Sequence, residues 1–111
     1  MERWLYMVGT NCTDPSREAE FNDWYNNTHL PDVLETPGIV RATRYQSRDP
    51  SQQGAKFLAV YEVETNDIDK TMAELQAALA RKRAQGRWTQ VIQVVYRSLH
   101  REINPPLSRK R

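Results

Sequence analysis

Trp24, Tyr25 and His29 stand within six residues of one another in the run FNDWYNNTHLPDV. An imidazole titrates near pH 6.5, so His29 is suited to accept or release a proton at neutral pH. Tyr25 lies four residues earlier, which on a continuous helix is the same face, and its hydroxyl would orient the imidazole or donate to a developing oxyanion. His29 and Tyr25 are therefore the candidate catalytic pair. Trp24 would wall the same pocket. Further on, Arg41 and Arg44 occupy a strand-like segment on opposite faces, so at most one can reach that pocket. Arg44, next to Tyr45, is the one expected to bind a carboxylate, enolate or phenolate. Tyr6, Tyr45, Tyr61 and Trp88 would complete an aromatic-walled, substrate-binding site for an apolar or aromatic molecule. The same aromatics also suit a core or a dimer interface, and Asp23, Asp32 and Glu35 suit either a partnership with His29 or a solvated helix face.

The rest of the composition removes other classes of function. The chain has 111 residues, a length that predicts one domain with a modest core. Its 16 Lys and Arg against 14 Asp and Glu leave a formal charge of +2, too small a field to imply nucleic acid or an anionic membrane as partner. No apolar run is long enough to span a bilayer, and the opening MERWLYMVGT lacks the pattern of a secretory signal, so a cytoplasmic location is expected. Cys12 is the single cysteine, which rules out an intrachain disulfide, and with His29 and His100 it makes a thin zinc set; no metal is expected. There is no Gly-rich phosphate loop, Cys-x-x-Cys pair or G-x-S-x-G elbow to support nucleotide, thiol-redox or serine-hydrolase chemistry. A small-molecule substrate and no cofactor are the expectation, although one histidine would suffice as a haem ligand.

The elements that must position these side chains follow from periodicity. Residues 3–10 read as a strand with Trp4, Tyr6 and Val8 on one face. Asp14 and Pro15 are suited to cap and open a helix running to about Asn27. Leu30-Pro31 is expected to break or bend it, with a short extra turn over 32–35. After the Pro37-Gly38 turn, 39–47 reads as a strand alternating Ile39, Arg41, Thr43 and Tyr45 against Val40, Ala42 and Arg44. Residues 48–54 read as a hairpin loop and 56–64 as a third strand with Phe57, Ala59, Tyr61 and Val63 on one side. Asn66 is the expected cap of a second helix, whose Ile68, Met72, Leu75 and Leu79 form a stripe ending before Gly86. A fourth strand over 91–99 precedes the basic, Pro-containing tail, 101–111. The order is β-α-β-β-α-β, an α+β, ferredoxin-like fold over 1–100 with a four-stranded antiparallel sheet. Both helices cover one sheet face, and apolar residues on the other predict a homodimer.

This order, the W-Y-N-x-x-H-x-P run at Trp24, Tyr25, Asn26, His29 and Pro31, the Pro37-Gly38 turn and the Arg44-Tyr45 pair together resemble the dimeric α+β barrel superfamily, most closely its EthD-like members. The resemblance covers the chain to about His100. It implies a cavity between the helices and the concave sheet of each protomer, and proton transfer by His and Tyr. Of the superfamily's site residues only His29, with Tyr25, matches the motif of the first helix; no strand histidine matches the second acid–base position of some cyclases. Fold alone does not select a reaction. The leading expectation is a small cofactor-independent lyase, isomerase or cyclase acting on an aromatic or polyketide-like carbonyl compound. The alternatives are a cofactor-free monooxygenase of a phenol or anthrone, and a non-catalytic small-molecule binding module.

Overall fold

Alternation of side chains along the first strand sets the layering. In the computed structural model, which describes residues 1–110 apart from the side chains of Gln52 and Gln53, β1 (Glu2–Cys12) turns Tyr6, Val8 and Thr10 into the core. The chain then forms a 3-10 turn (Pro15–Arg17), α1 (Glu18–Trp24), a π-helical turn (Tyr25–His29) and α2 (Leu30–Leu34). There follow β2 (Ile39–Gln46), the short α3 (Pro50–Gln53), β3 (Phe57–Thr65), α4 (Ile68–Ala84) and β4 (Ile92–Arg101). The strands pair antiparallel in the order β2-β3-β1-β4. This is the ferredoxin-like α+β arrangement, with the principal helices against one face of the sheet. Residues 102–110 are exposed and carry no helix or strand.

The first helical segment differs from its sequence reading, because Pro31 does not end it. Asp14 caps the opening turn by accepting from the Ser16 backbone N–H, and the helix runs from there to Leu34. A proline inside an α-helix loses one backbone bond and crowds the carbonyl four residues back. Here the turn just before it widens: the Leu30 N–H reaches back five residues to the Tyr25 carbonyl. Such π turns occur mostly as single insertions within α-helices.

Two further expectations are corrected. Asp67, not Asn66, caps α4, its side chain accepting from the Lys70 N–H. In β2 the pairing with β3 shifts between Ile39 and Arg41, so buried Ile39 shares its face with Ala42 and Arg44, while Arg41, Thr43 and Tyr45 turn outward. Gly38 adopts φ 97° in the turn that delivers this strand, a region open to glycine at little cost.

The core lies between the helices and the sheet. Phe21 is fully buried against Tyr25, Trp24 and Phe57, with ring centroids 5.6, 6.3 and 5.7 Å away. Burying one such side chain stabilises the fold by about 2–3 kcal/mol. Leu75 from α4 and Val33 from α2 close the layer over Tyr61 and Val63 of β3. The opposite face of the sheet is open, with Leu5, Val40, Tyr45, Val95 and Tyr96 all substantially exposed. Among the described residues, no helix is long and apolar enough to cross a membrane.

Candidate active site

The π turn decides what His29 touches. In an α-helix, residues five apart point about 140° away from each other. Across Tyr25–His29 the wider turn brings Trp24 and His29 into a stack, centroids 4.9 Å apart and planes 16° from parallel. Tyr25 meets the imidazole edge-on at 5.0 Å, and Trp88, from the segment after α4, does so at 5.4 Å. Trp24 is itself pinned by donating from Nε1 to the Arg87 carbonyl at 3.3 Å. Three aromatic rings thus enclose the imidazole.

That enclosure sets its charge. Burial lowers the His29 pKa from 6.5 to about 4, Arg44 pushing the same way and the Asp32 carboxylate opposing. Neutral imidazole is therefore the resting form at pH 7. Asp32 is buried and held by a two-pronged pair, accepting from Arg87 Nε and Nη2 at 2.9 Å each, with Lys82 Nζ 3.8 Å away. Those bonds, the hydrogen bonds from Arg87 foremost, hold its carboxyl below the usual carboxylate range.

His29 forms part of the wall of a cavity of about 210 Å³ between the helices and the sheet. Tyr6, Tyr25, Tyr61, Val33, Leu75 and Trp88 line it as well. Burial raises the phenol pKa values of Tyr6 and Tyr25, and pushes that of Tyr61 far upward with the nearby Tyr25 adding to the effect, so all three stay protonated donors. The Tyr61 hydroxyl is buried beside that of Tyr25, the two close enough to act on each other but outside good hydrogen-bond geometry. Among the described residues no three His, Cys, Asp or Glu side chains converge, and His29 is the one side chain of those types that lines the cavity.

Of the residues singled out in the sequence, the cavity therefore brings together His29, Tyr25, Tyr6, Tyr61 and Trp88. Trp24 stands behind His29 rather than in the wall. Arg44 lies behind Tyr25, its guanidinium 4.2 Å from that ring centre and 5.1 Å from that of Phe57, donating from Nη1 to Asn22 at 2.9 Å and Asn26 at 3.1 Å. It is placed to brace the Tyr25 ring. Tyr45 is on the outer face of the sheet, 55% exposed. Asp32 is no solvated helix residue but a buried carboxylate paired with a half-exposed arginine.

Sequence reasoning missed Gln76 and Arg83 of α4 and Arg97 of β4, which also line the cavity. Gln76 and Arg83 are one and eight residues beyond the buried Leu75, flanking the apolar stripe, and could have been read from that spacing. Arg97 could not. Strict alternation from Val94, which pairs with Thr10, would send it outward; the pairing skips Val95, so Tyr96 faces Gly9 and Arg97 faces Val8 on the helix side. A bulge of one residue reverses the faces of everything after it.

Solved structures of low sequence identity share this helix-covered, four-stranded antiparallel fold. HapK from Hahella chejuensis superposes with a TM-score of 0.68 at 13% identity, over 96% of this chain and 99% of its own. An EthD family protein from Bacillus halodurans has a TM-score of 0.54 at 18% identity, over 93% and 100%. SnoaB, described as a cofactor-independent oxygenase from Streptomyces nogalater, has a TM-score of 0.53 at 16% identity, over 94% of each chain. The chain belongs to the DUF4286 family, a domain of unknown function, whose pattern matches residues 3–100. It is also 39% identical over 56 residues to core atranone cluster protein 1 of Stachybotrys chlorohalonatus; the match takes in 50% of this chain and only 24% of the length of that relative.

Proposed function

We propose that this chain is a small enzyme that admits an aromatic or polyketide-like carbonyl compound to the cavity and moves a proton on it without a cofactor, as a lyase, isomerase or cyclase. The observation that carries this reading is the meeting, in one aromatic cavity, of a neutral imidazole with the neighbouring phenols of Tyr25 and Tyr61. His29 takes a proton from the carbon beside the substrate carbonyl, and the C–H electron pair becomes an enolate. The Tyr61 or Tyr25 hydroxyl donates to the enolate oxygen without losing its own proton, as its raised pKa requires. The imidazolium then returns the proton to another carbon or to a leaving group. The low pKa of the free imidazole fits this sequence, since burial penalises an isolated cation far more than one formed beside an enolate. Trp88 and Tyr6 would hold the substrate ring.

The name of the fungal relative, a core protein of an atranone cluster, fits a role in small-molecule biosynthesis. The exposed apolar groups of the outer face, Leu5, Val40, Tyr45, Val95 and Tyr96, support a homodimer in which two sheets cover one another. Light scattering at micromolar concentration would give twice the mass of the chain; a monomer would count against the dimer.

The test of the chemistry is wash-in of solvent deuterium at the central carbon of aryl 1,3-diketones, followed by NMR. Wild-type protein should accelerate it and His29→Gln, checked for fold and assembly, should not. Equal acceleration by both would remove His29 from its assigned role, and none by either would sink the proton-transfer reading. The likeness to SnoaB favours a second reading, oxygenation of an electron-rich phenol or anthrone. Oxygen consumption with such a substrate in metal-free protein would select it.

A further inference from the structure

Two cationic side chains border the cavity, and no acid answers them. Arg97 arrives from β4 and Arg83 from α4, on two sides of the same space. Neither makes an ion pair among the described residues, a state they share with Arg3, Arg44, Arg48, Arg81 and Arg109, but of these only Arg83 and Arg97 line the cavity. No Asp or Glu lines the cavity. The arginines are also held in place. The Arg83 guanidinium rests 4.3 Å from the centre of the Trp88 ring, which in turn packs edge-on against His29. Arg97 stands on the helix side of β4 because the pairing skips Val95; like Arg83 it stays exposed, at the rim of the cavity, where its charge acts on the Tyr6 hydroxyl, opposing the effect of burial. The bulge thus places a cation at the mouth of the cavity when the regular strand would have put it on the opposite face of the sheet.

We infer that Arg83 and Arg97 form the binding site for an anionic group on the substrate, a carboxylate by preference, whose ring lies deeper against Tyr61 and His29. This rests on the cavity being the substrate site, and it names the class: a planar aromatic or polyketide-like carboxylic acid of one or two rings. Size agrees, since an apolar cavity of about 150 Å³ accepts benzene and this one has about 210 Å³ and an open rim. Guanidinium groups match carboxylate geometry through paired N–H donors, and the aromatic walls give the ring its apolar surface.

The probes are 2-naphthoate and its neutral analogue 2-naphthamide, with binding to the full chain measured by calorimetry at pH 7. Wild-type protein should bind the acid about tenfold or more tightly than the amide, the scale of a charge-assisted pair of hydrogen bonds. Arg97→Gln and Arg83→Gln should each reduce that preference, and the double variant should bind both probes alike, while Arg41→Gln on the outer face should leave it intact. Equal affinity of the wild-type protein for acid and amide would overturn the anion site and leave the ring cavity standing. A preference that survives the double variant would also overturn it. Binding of neither probe would overturn the site together with the cavity reading on which it rests.

Discussion

The His29 imidazole lies flat against the Trp24 indole, 4.9 Å between centroids, although five residues separate them in the chain. That contact depends on the π turn at Tyr25–His29, and the turn in turn lets the helix run through Pro31. The proline expected to destroy the alignment of Trp24, Tyr25 and His29 is thus accommodated by the distortion that creates it. The stack also excludes water from the imidazole, and its low pKa follows from that exclusion.

Acid should therefore destabilise the protein before its carboxylates titrate. The folded pKa of His29, about 4, lies below its ordinary 6.5, so the unfolded chain binds more protons in between and stability rises with pH across that window. The contribution is complete above pH 6.5 and is lost as pH falls toward 4, with a size of about 3 kcal/mol. Urea unfolding at stepped pH should show this slope, and His29→Gln should flatten it. Turnover that needs neutral imidazole should hold steady through neutral pH and fall only as pH approaches about 4.

Asp32 and Arg44 act on the imidazole in opposite senses, and Arg87 holds Asp32. Arg87→Gln leaves a buried carboxylate with Lys82 at 3.8 Å as its remaining cation. Removing one partner of a buried pair is strongly destabilising, and the exposure of the Arg87 side chain makes the loss smaller here, so urea unfolding should show a modest drop in stability. The same change unmasks the Asp32 charge, which favours imidazolium, so the His29 pKa should rise in an NMR titration. Asp32→Asn should move it the other way. A purely structural role for the pair would alter stability and leave the titration in place.

Tyr61 should separate stability from activity. Its buried hydroxyl has only that of Tyr25 beside it and no hydrogen bond of good geometry, so Tyr61→Phe should leave the stability of the free protein within about 1 kcal/mol in denaturant titration. If that hydroxyl meets the substrate oxygen, the same variant should lose activity by about 10²-fold, on the scale of one oxyanion donor. A variant that is much less stable and fully active would contradict both halves.

Local pattern made the layers and one wall of the site legible in the sequence. The alternation in β3 placed Tyr61 inward, the spacing of Tyr25 and His29 put both under the first helix, and Leu75 marked the buried stripe of α4. What stayed hidden were changes of register. The shift at Ile39 moves Arg44 and Tyr45 to faces that strict alternation from Ile39 would interchange, and the skipped Val95 brings Arg97 to the helix side, at the cavity's rim. Neither has a strong local signature, because a bulge is decided by cross-strand packing rather than by the residue that bulges.

Packing of Tyr96 against Gly9 is the cross-strand contact that accompanies the bulge in β4. A Cβ built on Gly9 would lie 2.2 Å from Tyr96 Cε1, closer than any real contact, so the ring occupies the space that a side chain would take. Gly9→Ala must displace that ring. Because Tyr96 sits on the open face and is 37% exposed, the ring can swing aside, and the cost should be about 1 kcal/mol, at the low end for overpacking. Tyr96→Ala should lose a comparable amount by uncovering the strand. The double variant should cost less than the sum of the two, and this coupling, measured by urea unfolding, tests the contact directly. If the Gly9–Tyr96 contact also fixes which residue is skipped, Gly9→Ala should weaken the placement of Arg97 at the cavity's rim, seen as a smaller preference for 2-naphthoate over 2-naphthamide. Additive stabilities with the preference unchanged would show that the bulge is set elsewhere along β4.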